Sequence, residues 1–108
     1  RDGTQLCSGD MLLEALVACA GVTLGAVAMS LKPDVTGTVR AEGDLDFRGT
    51  LGVDKQAPVG FRDIRLTFDL TTDADADQLA SLIKLTERYC VVLQTLRQSP
   101  STSVHVTT

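Results

Sequence analysis

Residues 8–32 read SGDMLLEALVACAGVTLGAVAMSLK. The run is almost continuously apolar, and Glu14 is its only charge between Asp10 and Lys32. Apolar residues at this length, drawn from helix formers, predict a helix rather than a strand. Ser8 is placed to cap its start. Asp10 lies in the first turn, where the helix dipole favours negative charge, and Pro33 stops the pattern. Helical spacing places Leu12, Ala15, Val22 and Ala26 on the face of Cys19. The small residues Ala18, Ala20, Gly21 and Gly25 allow another backbone to come close. Gly21 and Gly25 also carry the spacing used by membrane helices. A membrane span is the alternative reading of the run. Against it stand Glu14, the lack of flanking aromatic residues and the soluble-type alternation further on. The expectation is a central helix, buried on most sides and packed on a second helix.

Working outward, the 108 residues suffice for one domain of residues 1–108. Residues 1–7, RDGTQLC, are polar and run directly into the helix. The natural start of the fold is therefore expected to lie upstream. After Pro33 the period changes to two. Val35, Gly37, Val39 and Ala41 alternate with polar residues, and Leu45 and Phe47 extend the pattern past a bulge expected at Gly43. Residues 48–60 are rich in glycine and read as a connection. Ile64, Leu66, Phe68 and Leu70 alternate with Arg65, Thr67 and Asp69, which predicts a strand with one wet face. Asp75 and Gln78 have capping-box spacing. They open a helix expected over residues 76–97, with Leu79, Leu82, Ile83, Thr86, Cys90, Leu93 and Arg97 on one stripe. Residues 102–107, TSVHVT, alternate again and predict a final strand with His105 facing solvent. Helix, strand, strand, helix, strand with short connections gives an α+β fold, an antiparallel sheet packed on two long helices.

The formal net charge is −4, with one Tyr and no Trp. Scattered cations and few aromatic residues provide no surface for nucleic acid. Three cysteines, at positions 7, 19 and 90, make no disulfide framework and point to a reducing, cytoplasmic setting. One histidine argues against a zinc site, and no other cofactor is implied. Cys7 reads as incidental, with oxidant sensing as the minority reading. Cys19 and Cys90 read first as small buried hydrophobes. They act together only if the fold brings their helices into contact, because a disulfide needs Cα atoms within about 4.4–6.8 Å.

SGDMLLEALVACAGVTL resembles the first-cysteine helix of the OsmC/Ohr family, whose pattern is roughly Pro-Glu-x-Leu-Leu-x-Ala-Ala-x-x-x-Cys. Residues 87–96, ERYCVVLQTL, resemble the family's second motif, roughly Lys-x-Cys-Pro-Val-Ser-x-x-Leu. The resemblance covers nearly all of this chain but only the C-terminal two-thirds of the family fold. It implies an intertwined homodimer that reduces organic hydroperoxides with an external thiol or dithiol. It implies Cys19 as the peroxide-reactive thiol and Cys90 as the resolving one. The alternative is a non-catalytic OsmC-like dimer binding a small apolar ligand. Gly9 stands where the family has Glu, with Asp10 beside it. Val91 and Leu93 replace the Pro and Ser that follow the second cysteine. The family's activating Arg lies upstream of this chain, and Arg88 falls on another helix face. A buried Cys19 without a cation is expected to have a raised pKa.

Overall fold

The computed structural model describes residues 8–108. Its elements are α1 (Ser8–Leu31), β1 (Val35–Asp44), α2 (Phe47–Thr50), β2 (Asp63–Thr72), α3 (Ala76–Tyr89) and α4 (Val91–Gln98). α1 includes Ser8 itself, and Cys7 lies outside the described residues. At its other end Lys32 takes a positive φ of 72° and its N–H reaches the Ala28 carbonyl at 2.7 Å. Pro33 then prevents continuation.

Among the described residues the sheet has two antiparallel strands, paired without interruption from Val35 opposite Thr72 to Asp44 opposite Asp63. No bulge forms at Gly43, which sits opposite Ile64. The site needs glycine for space: a Cβ there would lie 2.6 Å from the Phe61 ring. Gly37 is required for a different reason. Its φ is 142°, and a Cβ would fall 2.1 Å from the Asp69 carbonyl oxygen. β1 also ends earlier than its alternation suggests. Asp46 accepts the Arg48 N–H at 3.0 Å and turns Phe47 into the first residue of the short α2. The expected connection therefore starts with a helical turn.

The apolar residues of β1 and β2 face α1. Leu16, Ala20 and Cys90 form one buried cluster, edged by Val39, Ala41, Leu66, Phe68, Leu93 and Leu96. Leu24, Ala28 and Leu82 form a second, edged by Val35, Leu70, Leu79 and Ile83. The buried stripe of α1 is thus Leu16, Ala20, Leu24 and Ala28, a four-residue repeat one position round from the stripe expected through Cys19. Leu12, Ala15, Val22 and Ala26 are exposed, so the helix is covered on one side only. It is long and apolar enough to cross a membrane by length and composition, with 22% of its most apolar window buried.

Two further expectations are corrected. The helix expected over residues 76–97 divides at Cys90, whose backbone is extended at φ −74° and ψ 105°. The apolar stripe runs on through the break, so periodicity conceals it; the consecutive β-branched Val91 and Val92 are the local cue. The strand expected over residues 102–107 is absent, because no sheet edge among the described residues pairs with it. Val104 and Val106 stand 90% and 82% exposed. His105 is exposed as expected, within bonding distance of the Ser103 hydroxyl.

Candidate functional site

Asp75 and Gln78 form the expected capping box: the Gln78 N–H donates to Asp75 Oδ1 at 2.8 Å and the Asp75 N–H donates to Gln78 Oε1 at 3.2 Å. This fixes where α3 begins and therefore the phase of its buried stripe, Leu82 and Thr86. The buried Thr86 hydroxyl is satisfied by the Leu82 carbonyl at 2.7 Å. The stripe ends on Cys90, which is fully buried.

Cys19 is half-buried on α1 and packs against the cluster that contains Cys90. Both thiols are free, and each bears on the other's protonation. Two cysteines separated by most of the chain thus share one cluster. The contact is made where α1 crosses the junction of α3 and α4, not along the middle of two continuous helices.

The two thiols differ electrostatically. The first influence on Cys19 is the backbone N–H of Val92, which favours the thiolate. Partial burial opposes it, and the Cys90 thiol and the Val91 N–H add to it; the net effect lowers the Cys19 pKa. This corrects the expectation of a raised value. Donors at the start of α4 do the work assigned to a cation, since the N-terminal N–H groups of a helix are unspent and carry partial positive charge. The Thr23 hydroxyl donates to the Cys19 carbonyl at 2.8 Å, which commits its proton to the backbone. Cys90 shifts the other way. Burial raises its pKa first, and the adjoining Cys19 sulfur raises it further. Cys19 is thus the more readily ionised of the two thiols and Cys90 the more firmly protonated.

A cleft of about 520 Å³ borders the same cluster without being lined by either cysteine. It is lined by Leu16, Phe61, Ile64, Leu66, Phe68, Leu93 and Leu96, with Arg62, Asp63, Glu87 and Arg97 among its polar residues. Leu16, Leu93 and Leu96 border both the cleft and the thiol cluster. Phe61 also explains Gly9: a Cβ at that position would lie 2.9 Å from the ring. The place of the family's glutamate is therefore closed by an aromatic ring.

Sequence reasoning found both cysteines but missed the junction donors, Val91 and Val92, because the helix break was hidden. It also missed Gln94, whose Nε2 donates to the Glu87 carbonyl across the break at 2.7 Å.

A search of curated proteins returned no match. Among solved structures, the crystal structure of an OsmC-like protein from Mycoplasma pneumoniae superposes with a TM-score of 0.73 at 20% identity, over 91% of this chain and 68% of that one. At that identity the likeness speaks for the fold. The family model for OsmC-like protein matches residues 1–105. With that match over almost its whole length, and the fold to accompany it, the chain belongs to the OsmC-like protein family.

Proposed function

We propose that the chain is a thiol-dependent peroxidase for organic hydroperoxides, with Cys19 as the peroxide-reactive residue and Cys90 as the resolving one. The observation that carries this reading is the packing of Cys19, whose pKa is lowered, against the cluster that holds the buried Cys90, whose pKa is raised.

The Cys19 thiolate attacks the terminal peroxide oxygen and breaks the O–O bond. The sulfur becomes a sulfenic acid, and the alkoxide leaves and takes up a proton as the alcohol. The Cys90 sulfur then displaces hydroxide from the sulfenic sulfur. Its own proton leaves with that hydroxide as water, and a disulfide forms between the two residues. An external dithiol reduces the disulfide by exchange and is itself oxidised. The apolar side chains Leu16, Leu93 and Leu96, which border both the thiol cluster and the cleft, suit an alkyl or aryl hydroperoxide better than hydrogen peroxide. Met11, Leu12, Val22 and Met29 leave the outer face of α1 exposed and apolar. That supports a homodimer which covers this face, and the three cysteines, an odd number with no disulfide framework, fit a reducing, cytoplasmic setting.

The test is consumption of an organic hydroperoxide in the presence of dithiol. Cys19→Ser falls to background. Cys90→Ser consumes one equivalent and leaves a sulfenic acid on Cys19 that dimedone traps. Unchanged turnover in Cys19→Ser would end the proposal.

A further inference from the structure

In an uninterrupted helix the Val91 N–H would donate to the Glu87 carbonyl, four residues back. At the junction of α3 and α4 that bond has been exchanged. The Cys90 N–H still reaches the Thr86 carbonyl at 3.0 Å. The Glu87 carbonyl accepts instead from Gln94 Nε2 at 2.7 Å. The amide end of Gln94 must point there, because a carbonyl oxygen only accepts. Gln94 is held at its backbone too, its N–H donating to the Cys90 carbonyl at 2.9 Å. The Val91 N–H is thereby released from Glu87 at the start of α4, where Val92 and Cys19 pack on the same buried cluster; the N–H groups of Val92 and Val91 both favour the Cys19 thiolate.

We infer that Gln94 is a positioning residue: its carboxamide replaces the Val91 N–H on the Glu87 carbonyl and so holds the helix break open, with the first N–H groups of α4 turned toward Cys19. Without that side chain the Glu87 carbonyl loses its partner. A partly buried carbonyl without one is costly, and the nearest replacement is the Val91 N–H itself. Taking it would close the break and withdraw that donor from the sulfur. A second tie joins the same helices, Arg97 donating to Glu87 Oε1 at 3.0 Å. It links exposed side chains and leaves the carbonyl untouched, so it serves as the control.

The inference rests on the peroxidase reading only for its effect on turnover, and its test reads the thiol directly. Iodoacetamide labelling of the reduced full chain is followed against pH, with Cys19 and Cys90 peptides resolved by mass spectrometry. In Gln94→Met the Cys19 midpoint moves up, and labelling below it slows about tenfold, as expected when a thiolate loses a hydrogen bond. Arg97→Gln keeps the wild-type midpoint. A folded Gln94→Met with an unmoved midpoint overturns the assignment, as does an equal shift in Arg97→Gln. Should Gln94→Met not fold, amide NMR of the unsubstituted protein decides. The Gln94 side-chain amide is expected to exchange slowly, and the Val91 and Val92 N–H resonances to follow Cys19 titration. Free exchange, or resonances blind to Cys19, overturns the assignment. Unchanged peroxide turnover in Cys19→Ser would sink the proposed reaction and leave this labelling result standing.

Discussion

Cys19 and Cys90 share one cluster but have opposed protonation preferences. Cys19, favoured as thiolate first by the Val92 N–H, is expected to titrate below the ordinary thiol value. Cys90, kept protonated by burial, is expected to titrate above it. Site-resolved alkylation against pH checks the order, and Cys90 reacting at lower pH than Cys19 would contradict it. The stability linkage has opposite signs for the two. The depressed Cys19 pKa stabilises the fold above the unfolded thiol value, and this is lost as pH falls through the folded pKa. The raised Cys90 pKa stabilises it below the unfolded value, and this is lost as pH rises through the folded pKa. The α3 stripe places Cys90 inward, while the stripe drawn through Cys19 lies one position off the buried one; the family pattern is what singles out the two together. The donors acting on Cys19 were not legible in the sequence, because backbone N–H groups carry no residue signature until a helix end is located.

At the scale of elements, glycines and caps decide where each segment stops. Phe61 stands against both Gly9 and Gly43. Gly43→Ala places a methyl 2.6 Å from that ring. It is expected to destabilise by about 1–3 kcal/mol in urea titration, the usual cost of overpacking. Phe61→Leu in the same chain should recover part of the loss, and a neutral Gly43→Ala would remove the steric account. Asp75→Ala breaks the α3 capping box and should cost about 1 kcal/mol by the same measurement. In the loop, Arg48 beside Asp46 holds its carboxyl down to about 2. The carboxylate cap of α2 should therefore persist as pH falls to that region; an NMR midpoint near 4 would contradict it. The strands and the start of α3 were readable from alternation and the Asp75–Gln78 spacing. The division at Cys90 was not, because Leu82, Thr86, Cys90 and Leu93 keep their helical rhythm across it.

At the scale of the molecule, two features remain unaccounted for by one chain alone: the exposed outer face of α1 and the exposed alternating residues 102–107. The sequence reads both as parts of ordered, covered elements, whereas among the described residues α1 has an exposed face and residues 102–107 form no strand. The proposed homodimer predicts a sedimenting mass twice 11.5 kDa. Val22 is 76% exposed on that face, so Val22→Glu should shift the population toward monomer. A wild-type monomer at all concentrations would remove the dimer from the account. The thiol chemistry can be tested independently of that outcome. Reduced protein is treated with one equivalent of an organic hydroperoxide, and its products are resolved by peptide mass spectrometry. The account predicts one alcohol released and an intramolecular Cys19–Cys90 disulfide that dithiol reverses. Both residues recovered as free thiols, with the hydroperoxide intact, would contradict it.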